Sequence, residues 1–384
     1  MMARPALLLA VWLGVTAAIV SGDPLPQTPA AFPGARGAKA SSSTDASEKQ
    51  TAGPRSSHNR PAFWIPSGLD DYVPVPLDNQ ATAAKVDLGA RLFFDPILSA
   101  DGETSCATCH LPDLAFTDGR PLAVGVYGRV GRRNVPTILN RGYGKSFFWD
   151  GRVASLEAQA RDAIEGREDL GLPIEDAVVR LREEASYRAE FRNAFDPGAG
   201  DGFRSEGNAA HDADTRGPSI TAQRVTQALA TFVRSQMAGD SFRDRYRSGD
   251  WTAMSAAALR GLDVFALRGR CLGCHLGPLS TDEKFHNTGV SWGADPGRQK
   301  ITGYESDRGR FKTPSLRNVA LTAPYMHDGS IATLEEAVEF YDQGGNPNPN
   351  LDPFIAPLHL TDRQKADLVA FLEALTSVDL AGGR

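Results

Sequence analysis

Apolar positions in this chain recur with helical rather than strand spacing. Val86, Leu88, Leu92 and Phe93 fall on one face of a segment that stops at Asp95 and Pro96, where the proline ring ends a helix. Leu156, Ala160 and Ile164 recur every four residues. Ile174, Val178 and Leu181, then Phe191, continue that style, as do Val225, Leu229, Phe232 and Val233. A second set comprises Met254, Ala258, Leu262 and Phe265, followed by the segments 333–342 and 361–376. The last two each open on a capping box, Thr333 with Glu336 and Thr361 with Gln364, which satisfies otherwise orphaned N–H groups. No stretch alternates as a strand does. The pattern predicts an all-α protein in two helical halves. A polar, Gly-rich insertion at 196–218 separates them, read as a flexible excursion.

The N-terminus departs from this periodicity. Met1 to Pro5 carries one Arg and no acid, Ala6 to Val20 is apolar, and Ser21 and Gly22 are small. That order predicts a signal peptide over residues 1–22, cleaved before Asp23. The apolar run is shorter than the ~20 residues a membrane anchor needs, and no later segment is long and apolar enough to span. The mature protein is expected to be periplasmic, without a membrane span. Residues 23–60, rich in Ala, Ser, Gly, Pro and Thr, read as a disordered linker. The two domains are expected at 61–240 and 241–384.

Composition narrows the function. With 384 residues, 41% of them hydrophobic, two packed domains are affordable. A net charge of −6 leaves no basic surplus to neutralise a phosphate backbone, which excludes nucleic acid as the expected partner. The four cysteines are more informative. They form two Cys-x-x-Cys-His motifs, Cys106, Cys109 and His110 in one half and Cys271, Cys274 and His275 in the other. This is the signature of covalent c-type haem attachment. Two thiols three positions apart reach the two vinyl groups of one porphyrin, and the adjacent imidazole binds the iron. A redox dithiol needs no following His, and a zinc site would pool both cysteine pairs in one tetrahedron. Two covalently bound haems c are therefore expected, on His110 and His275.

The segments LGARLFFDPILSADGETSCATCH, GRRNVPTILN, FFWDGR, FKTPSLRNVALTAPYMHDGS and TLEEAVEFY, spread from about Lys85 to Leu375, closely resemble the bacterial dihaem cytochrome c peroxidase family. That family includes the MauG-type enzymes, which oxidise protein side chains. The resemblance implies two cytochrome c-like helical domains, each binding one covalent haem. It also implies a Ca²⁺ ion between them and peroxide chemistry at the N-terminal haem. By the same resemblance, His110 is the proximal ligand of the peroxidatic haem and His275 that of the electron-transfer haem. Trp149 matches the tryptophan that relays electrons between haems. Asn134, Thr322 and Pro324 match the calcium positions, and oxygen donors suit that ion.

On the distal side of the first haem, Gln159 matches a pocket residue. The acid–base carboxylate falls at Asp169 or the adjacent Glu168, where the family normally has Glu. Such a group moves a proton between the two oxygens of peroxide. Many members carry a sixth-ligand His on the loop after the first motif. Here Val126 stands at about that position, so the first haem is expected to be open. The resemblance makes Tyr341 the sixth ligand of the second haem, as in MauG-type enzymes. General cytochrome c spacing points instead to Met326, which lies 51 residues after His275. His327 is expected to pack near a haem, and His58 and His211 to lie in flexible segments. His286 and His359 have no assigned role. The expected partners are hydrogen peroxide and either a small redox protein, a cytochrome c or cupredoxin, or a protein substrate. A non-enzymatic electron carrier would saturate both irons, and an open first haem argues against it.

Overall fold

The computed structural model describes residues 64–197, 220–290 and 292–381. The expected signal peptide at 1–22, the expected linker at 23–60, His58, His211 and all but the first two residues of the 196–218 insertion lie outside the described residues. The described residues form twelve α-helices. They are α1 Ala83–Phe94, α2 Cys106–Cys109, α3 Leu156–Glu165, α4 Ile174–Glu183, α5 Ala185–Phe195, α6 Ala222–Ser235, α7 Phe242–Arg247, α8 Ala256–Ala266, α9 Gln299–Thr302, α10 Leu334–Asp342, α11 Asp362–Glu373 and α12 Val378–Ala381. Their one strand pair is short and antiparallel, β1 Phe285–His286 against β2 Phe311–Lys312.

Side-chain caps start the longer helices. Thr82 accepts the Lys85 N–H at 3.2 Å and Ser155 the Ala158 N–H at 3.1 Å, which relieves unpaired donors in the first turn. Thr361 and Gln364 make the full reciprocal box. Thr333 makes half of one: its hydroxyl accepts the Glu336 N–H, but the Glu336 carboxylate reaches past it to the Ala332 N–H at 2.9 Å.

Among the described residues two large hydrophobic cores form, beside two small clusters around Leu69 and Ala115. The first joins residues between Leu88 and Val233, the second residues between Met254 and Leu375. Each core is built on a helix crossing at a glycine. A Cβ on Gly89 of α1 would lie 2.1 Å from the Ala228 carbonyl oxygen of α6. One turn later Phe93 meets Phe232 with ring centroids 5.0 Å apart. In the second core, a Cβ on Gly261 of α8 would lie 1.8 Å from the Asp367 carbonyl oxygen of α11, and Phe265 meets Phe371 at 4.9 Å. Only glycine lets the backbones approach this closely.

The two halves also share a longer stretch at a constant offset of 178 residues. Asn140 corresponds to Asn318, Phe148 to Met326, Trp149 to His327, Gly151 to Gly329 and Ser155 to Thr333. The backbone repeats with them. Asn140 and Asn318 take φ of 61° and 60°, Phe148 and Met326 63° and 74°, and Gly151 and Gly329 65° and 63°. Matching bridges, Phe147 to Val153 and Tyr325 to Ile331, close the turn in each half. Each turn then feeds a capped helix, α3 or α10.

Candidate dihaem site

Both Cys-x-x-Cys-His motifs fold into the same tight turn. The His110 N–H donates to the Cys106 carbonyl at 3.0 Å, and the His275 N–H to the Cys271 carbonyl at 2.8 Å. The first turn is steadied by Ser105, whose N–H donates to Thr108 Oγ1 at 3.0 Å. Burial holds both imidazoles below their ordinary pKa, so they are neutral. His110 Nδ1 lies 2.9 Å from the Phe116 carbonyl oxygen, and His275 Nδ1 lies 3.0 Å from that of Ser280. A carbonyl accepts only, so Nδ1 carries the proton in each ring and the Nε2 lone pair is available to a metal.

All four cysteines are free thiols. Burial pushes Cys106 and Cys271 up to about 12 and Cys109 to about 11. A redox-active pair needs the opposite, a stabilised thiolate. Among the described residues, the group of three potential metal ligands is Cys274, Asp282 and His286, so the two cysteine pairs are not pooled around one ion. The donor set therefore fits covalent haem: two thiols and one lone-pair-bearing imidazole at each of two turns.

Around the first turn the chain brings Val126 and Asp169 together. The Val126 N–H donates to the Asp169 carbonyl at 2.8 Å, and Val126 is fully buried. A Cβ on Gly125 would lie 2.0 Å from the Glu168 carbonyl oxygen. The Asp169 side chain folds back over Gly166, where a Cβ would be 2.4 Å from Asp169 Oδ2. Its charge acts on both Cys106 and Cys109. Burial raises the Asp169 carboxyl to about 6, with Arg152 opposing and Asp162 and Glu168 adding to the rise. Glu168 is exposed. Gln159 lies half-buried on α3, one turn before Ala163.

Around the second turn, Tyr341 sits at the end of α10. Burial pushes its phenol up to about 12, Thr288 hydrogen-bonds it, and it lies within charge range of Cys271 and Cys274. Its hydroxyl is 4.0 Å from the sulfur of Met326. The two candidate ligands thus point at one place. Tyr341 would ionise there only against a cation. At the fixed 178-residue offset, the first half has Ala163 in place of Tyr341 and Phe148 in place of Met326. Neither side chain has a lone pair. This counterpart escaped reading by motif, and the constant offset is the signal that finds it.

Trp149 ties the two halves. Its Nε1–H donates to the Asn134 carbonyl at 2.9 Å, and its own carbonyl accepts the Lys312 N–H at 2.8 Å. Its ring lies edge-on to His327 at 6.5 Å, and His327 stacks on Phe311 at 3.6 Å. His327 is buried, which pushes it down to about 4, so it packs as a neutral ring. The Asn134 N–H donates to the His327 carbonyl at 2.8 Å, and Asn134 Nδ2 donates to the Arg120 carbonyl at 2.9 Å. Asn134 is thereby held beside the loop that carries Thr322 and Pro324. The Thr322 hydroxyl is committed to the Val319 carbonyl, so its carbonyl is the oxygen left for an ion. That carbonyl, the Pro324 carbonyl and Asn134 Oδ1 are neutral oxygen donors of the type a hard cation takes.

Paired haem-binding turns, one in each of two helical cores, define a dihaem c-type protein, and the chain belongs to the di-haem cytochrome c peroxidase family. The profile of that family matches residues 83–252. The chain is 39% identical to the methylamine utilization protein MauG of Methylorubrum extorquens over 88% of each protein. It is 38% identical to a cytochrome-c peroxidase of Denitromonas iodatirespirans, over 83% of this chain and 88% of that one. Among solved structures, a MauG-like protein associated with microbial copper homeostasis superposes with a TM-score of 0.71 at 33% identity, over 81% of this chain and 95% of that one. Membership makes the chain an oxidoreductase of cytochrome c-like helical architecture and implies two haems c. No helix among the described residues is long and apolar enough to cross a membrane.

Proposed function

We propose that this protein is a periplasmic, peroxide-dependent dihaem oxidoreductase whose ligation is of the MauG type. Export rests on the signal peptide at 1–22, and the catalytic halves run over 61–240 and 241–384. His110 and His275 hold the two haems through Nε2. His110 would hold a haem whose iron, when bound, would supply the peroxide chemistry. Val126, Phe148 and Ala163 offer that iron no competing ligand. Asp169 takes the proton from the nearer peroxide oxygen and returns it to the farther one, so that water can leave; Gln159 lines the same pocket and helps orient the peroxide. Asp169 is preferred to Glu168 because it is half-buried and within charge range of Cys106 and Cys109, whereas Glu168 is exposed. Trp149 relays charge between the halves, and Asn134, Thr322 and Pro324 would hold a Ca²⁺ ion at the junction. The oxidant is spent on a side chain of a partner protein.

The observation that carries the MauG-type reading is the half-buried Tyr341 hydroxyl, within charge range of Cys271 and Cys274 of the second turn. A phenolate is a hard anionic donor that favours oxidised iron. A second reading, an ordinary peroxidase fed by a cytochrome c or cupredoxin, draws on the Met326 sulfur 4.0 Å away. Substitution decides between them. The intact mature protein should exceed its polypeptide mass by two haems. Tyr341→Phe should alter the spectrum of the second haem and raise its potential, and Met326→Leu should leave the spectrum unchanged. The reverse pattern would establish the second reading, and a one-haem mass would sink both.

A further inference from the structure

The two haem-binding turns share an element beyond their ligands. Thr117 and Asp118 follow the carbonyl that holds His110, and Thr281 and Asp282 follow the carbonyl that holds His275. Each aspartate closes the same small turn. Asp118 Oδ1 accepts the Arg120 N–H at 3.0 Å, and Asp282 Oδ1 accepts the Lys284 N–H at 2.9 Å. Both are buried: Asp118 is 9% exposed, and the Asp282 side chain 6%. Each acts electrostatically on its neighbouring proximal imidazole.

The second carboxylate oxygens differ. Asp282 Oδ2 lies 3.1 Å from His286 Nε2, and the other ring nitrogen of His286 lies 2.6 Å from Asp352 Oδ2. With a carboxylate on each side, both ring nitrogens donate, so His286 is an imidazolium. Asp282 thus has a cationic partner, which it shares with Asp352. Asp118 Oδ2 is buried and has no hydrogen-bond partner among the described residues. A buried charge acts strongly through a medium of low dielectric, and groups behind a metal's ligands tune its potential.

We propose that this aspartate pair sets the potentials of the two haems apart: Asp118, with one carboxylate oxygen unbonded, favours oxidised iron at His110, and Asp282, bonded to His286, does so less at His275. Both are positioning residues that act through the proximal imidazole, and the inference rests on the dihaem reading above. The test is spectroelectrochemical titration of the dihaem protein, with the two haems separated by their spin-state bands and haem content checked by intact mass. Asp118→Asn should raise the ferric/ferrous midpoint of the first haem. The expected shift is at least a tenfold change in the ferrous-to-ferric ratio at fixed potential, about 59 mV for one electron, with the second haem moving less. His286→Gln should lower the midpoint of the second haem and leave the first in place. A first-haem midpoint unmoved in Asp118→Asn, or equal shifts at both haems, would overturn the proposal. If Asp118→Asn does not fold, His286→Gln still decides, since an unmoved or raised second midpoint contradicts it. A protein that lacks one haem before any substitution would instead remove the dihaem reading itself.

Discussion

Asp169 offers a test of the first site whose size can be worked out in advance. Burial is the main reason its carboxyl is raised from 3.8 to about 6. At neutral pH the group is then mostly ionised yet close enough to balance to accept a proton and return it. The rate of reaction with peroxide should be level above pH 7 and fall about tenfold per pH unit well below 6. The same shift affects stability with a definite sign. A carboxyl whose pKa is raised by folding stabilises the fold fully below pH ~4 and loses that contribution as pH rises through ~6. About two units correspond to at most ~3 kcal/mol, less in practice because the side chain keeps some solvent contact. Asp169→Asn removes the ionisation. It should slow the peroxide reaction by roughly 10²–10⁴-fold and leave the protein up to ~2 kcal/mol more stable at pH 8 than the parent. Stopped-flow spectra from pH 5 to 8 and denaturant midpoints at pH 5 and 8 read both effects. A parental rate in Asp169→Asn at pH 8, with Glu168→Gln slow instead, would refute the assignment.

Two further outcomes test the frame around the haems. Gly261→Ala, whose Cβ would lie 1.8 Å from the Asp367 carbonyl oxygen, should force α8 and α11 apart and cost about 1–3 kcal/mol, read as a lowered denaturant midpoint with an unchanged slope. Chelation by EGTA should lower the thermal midpoint of the parent protein. Asn134→Ala should start from the lower midpoint and show no further response to the chelator; a parental response in that variant would remove Asn134 from the calcium set.

Helical spacing was enough to anticipate α1, α3, α4, α6, α8, α10 and α11, because each buries an apolar stripe on one core. Residues such as Leu156, Ala160 and Ile164 have no other way to leave water together. The four-residue helices α2, α9 and α12 carry no such stripe and were invisible, as was the β1–β2 pair, two residues per strand being too few to alternate. The haem turns were legible because their chemistry depends on residue type and local spacing. The choice between the two candidate carboxylates was not, since Glu168 and Asp169 are neighbours in sequence. Only the fold turns one outward and tucks the other over Gly166. Likewise, spacing could not reveal that Met326 and Tyr341, fifteen positions apart, meet at 4.0 Å.

The 178-residue repeat explains how one scaffold can make two unlike haem sites. The elements that hold the backbone are the same in both halves: a left-handed Asn, a turn with two further left-handed residues, a capped helix, and a glycine crossing behind it. Within that shared frame the two halves differ by single side chains. Ala163 replaces Tyr341 on the corresponding turn of helix, and Phe148 replaces Met326 at the same positive φ. Neither Ala163 nor Phe148 carries a lone pair, which is the difference the proposed open first site needs. Trp149 and His327 occupy equivalent positions yet lie edge to face, 6.5 Å apart. The repeated turn therefore supplies a contact between its two copies at the Trp149–His327 pair. A change in one copy of the turn alters the chemistry of one haem; a change at the Trp149–His327 contact should alter how the two communicate.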